Sequence, residues 1–217
     1  MESARSLRHL HLKTKFLSKI IYRLRSLIFC LLLSSSIYGS DISVLSFETL
    51  IANFDQHIIS QSNDSEMYSN GEIIIKKPDS IIWRIKNPFE RVIKINDESI
   101  NIYDPDLKQV INTNIDQFDD GDWINILLGN DSLENRYKKS KEEKGLTTRI
   151  RFDSLAQDSH VSHIIIDAIE NKIQTIEIIQ SQEQRIFIRL NNVLINQLVD
   201  DYFTSDLFPE DTEIISQ

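Results

Sequence analysis

Few residues of this chain have the types and spacing that chemistry requires. His160 and His163 stand three apart, which on a helix would aim two imidazoles at one zinc ion. They run straight into Ile164-Ile165-Ile166, and on a strand positions three apart face opposite sides, so two surface histidines are expected. The stretch from Asp116 to Gly121 has the acidity of a calcium loop. Phe118 falls at its third position and Leu127 at its twelfth, where oxygen ligands are needed, so a solvated loop at a helix start is the better description. Carboxylates are numerous but scattered, with no pair set apart for acid–base work. The glycines after residue 40 (Gly71, Gly121, Gly129 and Gly145) form neither a phosphate-cradling loop nor a nucleophile elbow. These observations argue against an enzyme, a metal centre and a bound cofactor.

One charge is nevertheless out of place. Residues 71–88 read GEIIIKKPDSIIWRIKNP, two apolar runs around a Pro-Asp-Ser turn. Side chains in a strand change sides at each residue, so Ile73, Ile75 and Lys77, then Ile81, Trp83 and Ile85, share one face of a hairpin. A lysine ends a row otherwise made of isoleucine and tryptophan. Read from pattern alone, it is a strand-end lysine whose stem packs on the sheet while its amine reaches water.

The elements that hold this row follow from periodicity. Between Asp41 and His57, the residues Val44, Leu45, Phe47, Leu50, Ile51 and Phe54 recur at threes and fours, which predicts an amphipathic helix with Asp41 or Ser46 as its N-cap. Residues 60–70 are polar and predict a loop, with Met67 and Tyr68 at the threshold of the first strand. After Gly71 the period becomes two. Short strands are predicted at 91–96, 99–103 and 107–112, then at 146–152, 162–169, 173–179 and 185–190, with 193–196 as a further one. Between the two series, Trp123 to Leu128 reads as a short apolar helix that Gly129 ends, and residues 130–144 as a charged loop.

About ten or eleven strands with frequent turns predict a mostly β fold, one strongly curved antiparallel sheet or barrel with helical cover. Its concave face, offered by Ile73, Ile75, Ile81, Trp83, Ile85, Ile93, Ile95, Ile100 and Ile102, reads from pattern alone as packed core ahead of a ligand cavity, since filled interiors are the rule.

The first 39 residues are of another kind. Arg5, Arg8, Lys13, Lys15, Lys19, Arg23 and Arg25 precede the apolar run Leu27–Leu33 and a serine-rich stretch, the layout of a secretory signal peptide, with cleavage expected near Gly39 or Ser40. The apolar run is too short for a permanent membrane span. Cys30, the one cysteine, lies inside that run behind Phe29, the wrong context for lipidation. Residues 40–217 then form a single domain without cysteine, so disulfides are not expected. Seven of the 24 basic residues and one of the 33 acidic residues lie in the first 40, leaving 17 against 32 and a formal charge of −15. Nucleic acid is an unsuitable partner for such a chain. Export and acidity together point to the periplasm of a Gram-negative bacterium.

The run Gly71 to Pro78, then Trp83, Pro88, Val92 to Asn96, and Ile102-Tyr103-Asp104-Pro105 through Gln109, resembles the signature of the LolA family, periplasmic carriers of outer-membrane lipoproteins. The resemblance extends over nearly the whole exported chain, to the ending from Tyr202 through Phe208-Pro209 to Ile215.

It implies an unclosed β-barrel with helices forming a lid over a cavity for lipoprotein acyl chains. Ile73, Ile75, Ile81, Trp83, Ile85, Ile93, Ile95 and Ile102 are then cavity residues, and Trp123, Ile124, Ile126, Leu127 and Leu128 belong to the lid. It further implies loading by an inner-membrane transporter of the LolCDE type, unloading to an outer-membrane receptor of the LolB type, and a monomer. Three acyl chains of about 15 methylenes each cost on the order of 35 kcal/mol to expose to water, so transit needs a carrier. In the family an arginine at the place of Lys77 bonds the lid-helix carbonyls and holds the empty form shut. Lysine offers three rotatable donors instead of a planar fork, so a differently wired gate is expected. Two alternatives share the fold: a LolB-like receptor, and a periplasmic carrier of some other lipid.

Overall fold

The computed structural model describes residues 44–78, 80–96, 98–115, 121–129, 135–180, 184–204, 208–209 and 211–216. The chain divides into residues 1–41 and a unit from Ile42 to Gln217. The signal-peptide segment with Cys30, and the acidic loop 116–120, lie outside the described residues.

Twelve strands build one sheet: β1 (Thr49–Ser60), β2 (Ser65–Lys76), β3 (Ser80–Asn87), β4 (Arg91–Ile95), β5 (Ser99–Asp104), β6 (Gln109–Asn114), β7 (Tyr137–Lys144), β8 (Thr147–Ser154), β9 (Val161–Ile169), β10 (Lys172–Gln180), β11 (Gln184–Ile195) and β12 (Glu213–Ser216). Among the described residues two helices accompany it, α1 (Gly121–Leu128) and α2 (Asp200–Thr204). The strand order is β12-β6-β5-β4-β3-β2-β1-β11-β10-β9-β8-β7, with different strands at the two ends, so the sheet is open. Residues of β1–β5 and of β8–β11 nevertheless share one buried cluster with α1, which requires the sheet to curl around it. All pairings are antiparallel except β12 with β6, which is parallel.

The period-two reading of the opening hairpin sets its register. Ile73 lies opposite Trp83 and Ile75 opposite Ile81, all four buried on the inner face. Ile74 and Ile82 point to the outer face, where Val199, Tyr202 and Phe203 from the α2 region cover them. Lys76 reaches Asp200 at 2.7 Å and helps seat that helix. Burying each of these isoleucines stabilises the sheet by about 1.5–3 kcal/mol.

Gly71 meets a steric demand. The register slips between Asn70 and Gly71, which oppose Asn87 and Ile85, leaving Lys86 as an extra residue on β3. A Cβ on Gly71 would lie 1.8 Å from the Arg84 carbonyl oxygen and 3.0 Å from the Phe54 ring. Only glycine lets the two backbones approach this closely.

Several expectations are corrected. Residues 49–60 are strand, not part of a helix over 41–57. Leu50, Ala52 and Phe54 are buried on the inner face, while Ile51 packs toward the outer cluster. Apolar residues on both faces mimic a helical stripe, and pairing with β2 and β11 along the whole strand decides the outcome. The polar stretch 60–70 contains the end of β1, a turn and the start of β2 from Ser65. In the expected loop 130–144, residues 137–144 form the edge strand β7; its sequence YKKSKEEK hides it, because a free edge favours charge. Residues 193–196 are no separate strand: 193–195 continue β11. Among the described residues the sheet has twelve strands, above the ten or eleven expected.

Candidate ligand cavity and its lid

Two isoleucine walls face each other inside the curl. Trp83, Ile85, Ile93, Ile95, Ile100 and Ile102 come from β3–β5, and Ile178, Ile186 and Ile188 from β10 and β11. Gln56 and Ile58 of β1 and Gln184 of β11 join them, and Trp123 and Ile124 of α1 lie over the gap. The cavity between them is about 250 Å³. Each lining strand contributes alternate residues, as the pleat requires.

Of the eight residues expected to line a cavity, Trp83, Ile85, Ile93, Ile95 and Ile102 do so. Ile73, Ile75 and Ile81 are instead fully buried core beside it. The second wall, Ile178, Ile186 and Ile188, escaped sequence reading. Its alternation is visible, but nothing local says that β10 and β11 will face β3–β5.

Trp83 links floor to lid. Its ring lies 4.5 Å from Phe54 on one side and 5.5 Å from Trp123 on the other, the latter in a T-shaped contact. All the expected lid residues lie on α1: Ile124, Ile126, Leu127 and Leu128 are buried and Trp123 is half-buried. Gly129, with φ +78°, ends the helix as its sequence suggests.

The first turn of α1 is anchored, and a half-buried charge borders its last. At the first turn, Asp122 accepts a hydrogen bond from the Tyr137 hydroxyl at 2.6 Å and pairs with Arg136 at 2.8 Å. Burial, and the carboxylate it faces, push the Tyr137 hydroxyl well above its ordinary pKa, so it stays a donor. Tyr137→Phe is expected to cost about 1–2 kcal/mol and to speed amide exchange in α1, as measured by urea denaturation and hydrogen exchange.

At the other end sits Lys77. Its ammonium donates to the Leu45 carbonyl and lies 4.3 Å from the centre of the Phe47 ring. It also borders Gly129, where an added Cβ would come within 3.2 Å of Nζ. The lysine thus binds the segment before β1 and lies beside the residue that ends α1. Burial lowers its pKa to about 8.

The pH consequence has a definite sign. Between about 8 and 10.5 the unfolded chain binds the proton that folded Lys77 releases, so folding stability rises with pH across that window. In Lys77→Leu that rise should be missing from the urea midpoints. Identical pH profiles for the two proteins would contradict it.

His160 and His163, expected at the surface, are both half-buried. His163 is engaged with Asp153 at 2.7 Å and Arg151 at 3.1 Å, and no group of three ligating side chains occurs among the described residues. No helix among the described residues is long and apolar enough to cross a membrane.

Comparison with known proteins adds an independent line. Residues 46–206 match the family model described as "Outer membrane lipoprotein carrier protein LolA". An outer-membrane lipoprotein carrier protein of Idiomarina loihiensis is 25% identical over 181 residues, covering 78% of this chain and 82% of its own. A protein of the same description from Dechloromonas aromatica is 28% identical over 147 residues, covering 67% and 70%. Among solved structures, a LolA superfamily protein from Nitrosomonas europaea superposes with a TM-score of 0.42 at 10% identity, covering 74% of this chain and 91% of its own.

Proposed function

This chain belongs to the LolA family of outer membrane lipoprotein carriers, and from that premise we propose that it carries lipoproteins through the periplasm with their acyl chains in the isoleucine cavity. The carrier is a binding protein and performs no bond chemistry. Its cargo comes from an inner-membrane transporter of the LolCDE type and passes to an outer-membrane receptor of the LolB type.

The observation that carries this reading is the cavity itself. It is walled almost entirely by isoleucine and tryptophan and roofed by a short helix anchored at its first turn. At about 250 Å³ it is smaller than the roughly 300–1,000 Å³ of a site for one drug-sized ligand, so it describes a shut form. Acyl chains then enter by displacing α1, whose own apolar face competes for the same burial. Such competition limits retention and lets the receptor unload the carrier.

Lys77 acts in this reading as the latch of the shut form, bound to Leu45 and Phe47 and bordering the end of α1. Lys77→Leu should fold and still take up lipoprotein, but transfer to the receptor should fall at least tenfold. Transfer at the wild-type rate would remove Lys77 from the mechanism. The carrier reading is tested by a photo-crosslinking residue at Ile102, which should capture lipoprotein labelled in its acyl chains. The intact mass of the exported protein should show no lipid of its own, which separates carrier from receptor.

A further inference from the structure

We propose that Gln56 and Gln184 form a polar end of the cavity that takes the carbonyl groups of an acylated head, and so set the direction in which a lipid anchor lies. This rests on the carrier reading and adds to it the place and chemistry of the head. Of the fourteen lining residues, ten are isoleucine, two are tryptophan, and the other two are these glutamines.

Their position is set by register. Gln56 lies opposite Ser69 on β2 and Ile188 on β11, and Gln184 lies opposite Ser60. Both are therefore toward the β1–β2 turn, whereas Lys77 follows the far end of the same hairpin, where Thr49 pairs with Lys76. Gln56, Ile58 and Gln184 are half-buried, while Ile95, Ile100 and Ile124 are buried. The cavity thus runs from a wetter glutamine end to a dry end beneath α1.

The hydrogen bonding of Gln56 selects the ligand group. Its Oε1 accepts a bond from the Ser69 hydroxyl at 2.8 Å, which orients the amide and leaves its NH2 to serve the cavity. Donors in an apolar lining are costly to leave unmatched. Ester and amide carbonyls match them, being acceptors that carry no charge to desolvate. A free carboxylate head has no cation at this end among the lining residues to meet it. The tails then extend toward Ile95 and Ile100, with the head held at the glutamines and the peptide leading outward.

The test compares two probes on the purified protein: a cysteinyl peptide carrying two ester-linked palmitoyl chains on a thioether glycerol, and its dialkyl-ether analogue without carbonyls. Displacement of a bound fluorescent dye reads affinity. Wild type should bind the ester probe about three- to tenfold more tightly than the ether probe. Gln56→Leu should lose that preference, the ratio of its two affinities falling to about one. Ser69→Ala, which frees the Gln56 oxygen without changing the lining, should reduce the preference and guards against misfolding of the first variant. An undiminished preference in both variants, or none in wild type, overturns the proposal. Binding of neither probe by wild type overturns the carrier reading and the head site with it.

Discussion

Gly71→Ala is expected to cost about 3–5 kcal/mol, enough to leave much of the protein unfolded at 37 °C given the usual margin of about 5–15 kcal/mol. The reason is geometric. The new methyl carbon would lie 1.8 Å from the Arg84 carbonyl oxygen and 2.8 Å from its carbon, and both atoms are backbone in the centre of the sheet. Neither can move without breaking the β2–β3 ladder that aligns Ile73 with Trp83. The Phe54 ring, 3.0 Å away, blocks the remaining space. Thermal unfolding followed by circular dichroism measures the loss. A shift of only a degree or two would show that the strands can separate at the bulge. Gly129→Ala is a contrasting case, since the atom it meets first is the tip of the flexible Lys77 side chain.

The second large effect is on function alone. Ile93 is half-buried, lies between Trp83 and Ile102 in the ladder, and faces the cavity. Ile93→Trp places an indole in space that is empty, so the overpacking cost of about 1–3 kcal/mol should be partly avoided. Acyl uptake should nevertheless fall more than tenfold, a loss of about 1.4 kcal/mol or more in binding. The dye-displacement assay reads uptake, and the melting temperature shows that the fold survives. Ile102→Trp, from the neighbouring strand, should behave alike. Normal uptake by both variants would place the acyl chains elsewhere.

What could be foreseen depended on whether the physics was local. The β2–β3 hairpin was legible because its alternation has period two and one face is buried, which specifies register strongly. The short α1 helix was legible from Trp123 to Leu128 with a terminating glycine. β1 was not, because Leu50, Ala52 and Phe54 serve one face while Ile51 serves the other, and their sum resembles a helical stripe. β7 was hidden by the charges that keep a free edge from pairing with another chain, and β12 by its brevity and its parallel partner.

The site divides in the same way. One cavity wall could be picked from alternation in β3–β5, though Ile73, Ile75 and Ile81 fell into solid core one step beyond the gap. The facing wall needed the curl of the sheet. Lys77 stood out as a charge ending an apolar row, yet its link to the Leu45 carbonyl joins positions with no spacing relation a sequence could reveal. Asp122 and Tyr137 anchor the first turn of α1 across 15 residues of chain. Both contacts are tertiary in origin, joining segments that only the folded sheet brings together.

The central claim, that acyl chains travel in this cavity, is tested most directly in spheroplasts. Cells making a radiolabelled outer-membrane lipoprotein are incubated with the purified protein, and the supernatant is recovered. The account predicts lipoprotein released into the soluble fraction as a one-to-one complex, with release lost in Ile93→Trp. Lipoprotein that stays in the inner membrane whichever protein is added would contradict it.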